Sequence, residues 1–257
     1  MKSLQRFERY AYPLVTSVII IIIWDIASGH YPADLLPSPM SVVLTLKDLL
    51  IKGTLPENIG ISLYRFFAGY LAAAATALPL GLLFGRYSRM WFAFDPIVQL
   101  LRPISPIAWL PLIVLWFGIG NLPTMVIVFI AAFFPILLST VAAVHHVNRL
   151  YIDVARNFGL TERAILSKII IPASFPYMVT GMQIALGSGW VFLVVGEMLG
   201  VNSGLGYMII DGRNSLRYEV VIAAILLIGG LGLILSKSLE FIEKKVQIRW
   251  GAHNGTA

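Results

Sequence analysis

The sequence predicts an all-α, polytopic membrane protein of six transmembrane helices, folded as a single transmembrane domain over residues 1–257 with both termini cytoplasmic. Three observations predict it. Apolar residues make up 58% of the chain and charged residues 12%, roughly half the ~25% charged content of a soluble domain. Mean hydropathy is +0.83, which leaves too little polar surface to cover a water-soluble globule of this length. Six apolar stretches, each near the ~20 residues needed to cross a bilayer, divide the chain.

The first stretch covers residues 13–28, extended back over 10–12, with Ile19 to Ile23 at its heart. A basic segment precedes it, as in a signal peptide, but Trp24 and Asp25 end the run where small residues would mark cleavage; it reads as a retained span. A rigid Leu36-Pro37-Ser38-Pro39 segment follows. Residues 41–52 then alternate apolar and polar side chains at helical spacing, which predicts an amphipathic helix in the membrane interface. The second stretch, 61–85, is rich in Ala and Gly and suits close helix packing. The third, 95–118, is interrupted by Pro96, Pro103, Pro106 and Pro111, which predicts kinks. The fourth covers 122–144 and the fifth 175–199. Residues 201–218, rich in Gly and polar side chains, are expected to form turns. The sixth stretch is 220–239.

Basic residues orient the chain. Thirteen Lys and Arg lie in segments 1–12, 86–91, 145–172 and from 237 onward; five, Lys47, Lys52, Arg65, Arg213 and Arg217, lie in the opposite segments. This bias predicts cytoplasmic termini. The net charge of +6 is thereby explained without nucleic acid. The absence of cysteine excludes disulfide and thiolate chemistry. No GxxxxGK[ST] phosphate loop is present, so ATP binding by this chain is not expected. His145 and His146 are adjacent but lack further ligands at metal-binding spacing. No nucleophile–base pair is readable, so the chain is expected to be non-catalytic.

The informative segment is the long cytoplasmic loop, about 145–172. Asp153-Val154-Ala155-Arg156-Asn157-Phe158-Gly159 is followed by nine residues and then Ile169-Ile170-Ile171-Pro172. Gly159 suits the left-handed residue that ends a helix, Thr161 can cap the next, and Pro172 is expected to end or kink it. Arg156, Arg163 and Lys168 supply a polar surface; Phe158 and Ile165 are expected as apolar knobs. The spacing resembles the EAA loop of bacterial ABC import permeases, Glu-Ala-Ala, three residues, Gly, nine residues, Ile-x-Leu-Pro. Asp153 stands for Glu and Val154 for the first Ala, while Ala155, Gly159 and Pro172 match.

Further segments, Leu101 to Pro111, Trp116 to Gly120, Phe133 to Leu138, Glu197-Met198 and Ser203 to Tyr207, resemble the nitrate/sulfonate/taurine group of these permeases, which includes bicarbonate carriers. The resemblance runs from about Tyr12 to Trp250. It implies the MetI-like fold of type I importers, a homodimeric core formed with a second permease copy, two cytoplasmic ATPase subunits that hold ATP and Mg, and an extracytoplasmic solute-binding protein. It implies that the loop is a coupling helix seated in the ATPase. Four residues are candidates for the path or gate. Arg102 could hold an oxyanion through forked hydrogen bonds or serve as a structural or lipid contact. Gln183 and Trp190, seven apart, share one face of the fifth span, for path or packing. Glu197 is a gate residue or one half of an ion pair between spans. A pyrimidine vitamin precursor or an aromatic acid is an alternative cargo. An ion-gradient secondary transporter is the rival class; it would call for paired intramembrane carboxylates and repeated halves.

Overall fold

Within hydrocarbon a chain must satisfy its backbone groups internally, and a helix does so segment by segment. The computed structural model describes residues 2–32 and 35–249, and these form helices and turns. In chain order the helices are α1 (Lys2–Ser28), α2 (Pro39–Ile51), α3 (Thr54–Arg86), α4 (Ser88–Leu101), α5 (Leu110–Phe117), α6 (Asn121–His145), α7 (Arg149–Asn157), α8 (Glu162–Ile165), α9 (Ile171–Gly200), α10 (Leu205–Asn214) and α11 (Tyr218–Arg249). Five helical stretches among the described residues are long and apolar enough to cross a membrane, and α4 with the segment Pro106–Phe117 makes a sixth when the bent pair is taken as one span.

The centre of the fold is the packing of α3, α6 and α9. On α3, Gly69, Ala73, Ala77, Gly81 and Gly85 recur every four residues and form one ridge of small side chains, all buried. A Cβ on Gly69 would stand 2.4 Å from the Met125 carbonyl oxygen, and one on Gly81 would stand 2.6 Å from Thr140 Cβ. From α9, Gly181 meets Ser139 in the same way, at 2.2 Å. Small residues let the backbones approach, and the close approach multiplies van der Waals contact where no water is present to drive association. Phe66, Tyr70 and Trp190 fill the wider end, with the Phe66 ring stacked on Tyr70 and edge-on to Trp190.

The structure refines or corrects four expectations. The third stretch is broken rather than gently kinked: α4 begins at Ser88 and ends at Leu101, and the segment Pro106–Phe117 departs from it at 83°. Pro103 and Pro106 cannot donate the backbone bonds that would continue α4. Residues 201–218 are not only turns, since α10 occupies Leu205–Asn214 and buries Leu205 and Met208, three apart, against Leu49, Leu55 and Val220. The helix expected at 41–52 exists as α2, N-capped by Ser38 with Pro39 in its first turn. Its buried residues Val42 and Leu49 face protein, with Leu49 packed beside α10 and α11, while Val43, Leu44, Leu50 and Ile51 stay exposed. Arg65 is not a loop charge; it lies inside α3 with 2% of its surface exposed. The apolar window of α1, by contrast, is unburied within the chain, and Trp24 Nε1 ties its end to the Pro37 carbonyl at 3.0 Å.

Gly81→Val should force α3 and α6 apart at Thr140 and cost about 1–3 kcal/mol. A lower melting temperature in detergent checks this. Gly60→Val, where a Cβ meets nothing within 4 Å, should leave it unchanged.

Candidate functional site

Local sequence builds the loop. Asn148 caps α7 by accepting from the Leu150 amide at 2.9 Å. Gly159, at φ +76°, ends α7 in a Schellman arrangement: its amide donates to Arg156 O at 2.8 Å and the Leu160 amide to Ala155 O at 3.1 Å. Thr161 Oγ1 accepts from the Ala164 amide and starts α8. Ala155 is buried beneath α7 with Val144, Ile165 and Ile170. Ile165, expected as a surface knob, is therefore a core residue of the loop; its Cβ points inward once α8 follows the turn at Gly159. Pro172 does not stop the helix. The chain passes from α8 through a π turn at Leu166–Ile170, with Ile171 N donating to Leu166 O, directly into α9. A wide turn just before proline removes the need for the amide that proline lacks. The outer face of α7 stays bare, with Leu150, Tyr151, Val154 and Phe158 exposed, the last by 79%.

Charges brace this element. Glu162 accepts from Arg86 at the end of α3 and from Arg156 Nε at 2.9 Å, and Asp153 lies 3.6 Å from Arg156. Glu162, by its hydrogen bond and then its charge, pushes the Arg156 guanidinium further above its ordinary pKa, so Arg156 stays protonated throughout the working range. Exposed pairs contribute little stability one by one; together they set where α7 lies beside α3.

A second polar cluster is closed inside the spans. Glu197 of α9 is fully buried. Its carboxylate accepts from Arg65 Nη1 at 2.8 Å, from Ser62 Oγ at 2.9 Å and from the Gly206 amide at 3.0 Å. Arg65 also donates to Asn121 Oδ1 at 2.8 Å and to the Ser203 carbonyl and hydroxyl, each at 2.7 Å. Asn58 accepts from the Gly204 amide at 2.6 Å, and Ser62 from the Leu205 amide at 2.9 Å. The loop before α10 is thus stapled to α3. Gly204 sits at φ +101°, and a Cβ there would lie 2.3 Å from the Glu197 carboxylate. Sequence reasoning found Glu197 and missed its partners. Asn58, Ser62 and Arg65 were legible as polar positions in helical register, one face of one helix.

The remaining candidates lie apart. Gln183 and Trp190 do share a face of α9, which meets α11: Gln183 Nε2 donates to Glu243 at 2.7 Å and Trp190 Nε1 to the Ile228 carbonyl at 3.0 Å. Arg102 stands at the break after α4, not where a span begins, and borders a cavity of about 340 Å³ with Pro106, Phe134, Ser139 and Ile184. Among the described residues no three His, Asp or Glu side chains converge as metal ligands.

Glu197→Leu should leave the Arg65 charge buried without its partner and cost about 3–5 kcal/mol. The double variant Arg65→Met with Glu197→Leu should be less destabilised than either single change. Melting temperatures of the four proteins, compared as a double-mutant cycle, read the coupling directly.

Residues 77–248 match the family described as the binding-protein-dependent transport system inner membrane component. An ABC transporter permease protein of Methanocaldococcus jannaschii is 39% identical over 88% of this chain and 87% of its own. An aliphatic sulfonates transport permease protein of Bacillus subtilis is 34% identical over 95% and 89%, and the taurine transport system permease protein of Escherichia coli is 30% identical over 90% and 86%. Among solved structures, a chain of the MetNI methionine ABC transporter in inward-facing conformations superposes with a TM-score of 0.63 at 19% identity, covering 79% of this chain and 96% of that one, which establishes the MetI-like fold. The chain belongs to the inner membrane components of binding-protein-dependent transport systems, the integral membrane permease subunits of ABC importers.

Proposed function

We propose that this chain forms the translocation path of an ATP-driven importer for a small oxyanion, and that α7 with the turn at Gly159 is the element through which a separate ATPase drives it. The observation that carries this reading is the bare outer face of α7. A short, well-capped helix holds Leu150, Tyr151, Val154 and Phe158 away from the protein while Ala155, Ile165 and Ile170 anchor it from below. Asp153 and Arg156 flank that face. An apolar face on a rigid projection fits a helix-in-groove contact. In this reading both termini are cytoplasmic, ATP and Mg reside on the ATPase subunits, a second copy of the chain completes the path, and a solute-binding protein delivers the cargo outside. The orientation rests on the basic bias, in which Arg65, being buried, no longer counts on the outer side.

Phe158→Asp should leave the melting temperature unchanged, because the side chain touches solvent, yet abolish co-purification of the ATPase. Gly159→Asn should be tolerated, since Asn adopts the left-handed conformation, whereas Gly159→Pro should lose both the turn and transport. Retained ATPase binding and normal uptake in Phe158→Asp would remove α7 from the contact.

The oxyanion class is supported by the sulfonate and taurine names of the relatives and by Arg102, whose guanidinium offers forked donors beside a mostly apolar cavity that also holds Ser139. Glu197, locked to Arg65, serves in this reading as the clamp that holds the loop before α10 against α3, and so bears on gating through position. Arg102→Ala should lower anion uptake about tenfold or more with assembly intact, the loss of one charge-assisted contact of about 1.5–3 kcal/mol. Arg102→Lys should recover part of it in a radiotracer uptake assay. A pyrimidine precursor or aromatic acid as cargo predicts uptake indifferent to Arg102, and uptake that survives ATP depletion would point to an ion-gradient carrier.

A further inference from the structure

The last turns of α3 border a groove that the transport reading does not use. Pro79, Leu82 and Leu83 line it from α3 and Leu166 from the π turn, enclosing about 300 Å³. Its mouth carries Arg86, Tyr87, Glu162 and Arg163. The apolar part belongs to a membrane span and the charged part to the residues at which that span ends. Arg86 is held by Glu162 and lies with its guanidinium 5.6 Å from the Tyr87 ring centroid. Arg163 is exposed and takes part in none of the ion pairs among the described residues. Arg86 also borders a polar hollow of about 480 Å³ lined by Arg149, Arg156 and Asp153. Two arginines therefore line the groove against one carboxylate.

We propose that this groove is a binding site for one anionic phospholipid, whose acyl chain lies along Pro79, Leu82, Leu83 and Leu166 and whose phosphate is held by Arg163, with Tyr87 at headgroup level. An apolar trough at the edge of the hydrocarbon, opening on a cationic lip, complements a lipid with a negative headgroup and complements neither a free anion nor a zwitterionic lipid. An aromatic ring with a hydroxyl tip suits the boundary between chain and headgroup. A lipid seated there would wedge between the end of α3 and α8, the two elements that the Arg86–Glu162 pair also joins. The inference does not depend on the identity of the cargo or on the role of α7.

The test is native mass spectrometry of the intact transporter in mild detergent, titrated with phosphatidylglycerol, phosphatidylcholine or inorganic phosphate. Retention of phosphatidylglycerol in preference to phosphatidylcholine is expected. Arg163→Ala should weaken the tightest phosphatidylglycerol site about fivefold, and Arg163→Lys should restore it, which separates lost charge from misfolding. Inorganic phosphate at the same concentrations should neither bind measurably nor displace the lipid. Equal retention of phosphatidylcholine, displacement by phosphate alone, or unchanged binding in Arg163→Ala would each overturn the site. Binding that emerges only after other subunits are stripped away would assign the lip to a protein partner and overturn it as well.

Discussion

The architecture depends on how closely α3 and α6 approach. Lipid is as apolar as the side chains it would replace, so burying leucine gains little inside a bilayer. What remains is contact, and contact requires that one helix present almost nothing beyond its backbone. The ridge from Gly69 to Gly85 does this over more than four turns. Larger residues then fill only the margins, where Phe66, Tyr70 and Trp190 close the gap toward α9 and α11. With α3, α6 and α9 locked, the two ends of the bundle become fixed platforms: one carries the α7 loop, the other the turn before α10.

Each platform is secured by charge, in two different solvents. Near α7 the Glu162 bridges are exposed and screened, which suits the proposed role of this element as a contact for a partner. Around Glu197 the same chemistry is sealed from water. A buried pair of this kind adds little net stability over an apolar substitute, but it penalises every arrangement that leaves one partner alone. Its natural product is registry. Arg65, Glu197, Ser62 and the amides of residues 204–206 fit together in one arrangement, which fixes the loop before α10 on α3.

Much of this was legible in sequence because the signals are local. Hydropathy marked the spans, and Gly159 and Thr161 punctuated the loop through the backbone conformations they permit. Non-local facts were hidden. Glu197 and Arg65 are 132 positions apart, and only folding brings the two faces together. Proline in the third stretch announced a break but carried no angle. Residues 201–218 were too polar to read as helix, because α10 buries only one narrow side. Ile165 was misplaced because its orientation depends on the turn before it and not on its own character.

That last difficulty has a wider meaning in the π turn at Leu166–Ile170. A π turn accommodates one residue beyond the α-helical count, and each residue carries about 100° of rotation. The rod from Glu162 to Gly200 therefore has two angular phases, one for the part that bears on α7 and another for the part that lines the spans. The loop's apolar side and the span's apolar side were free to be chosen independently, then joined by a single wide turn. Removing one residue there would keep the rod helical while swinging its α8 end by more than a quarter of a revolution, so the fold holds its aim through length as much as through side-chain chemistry.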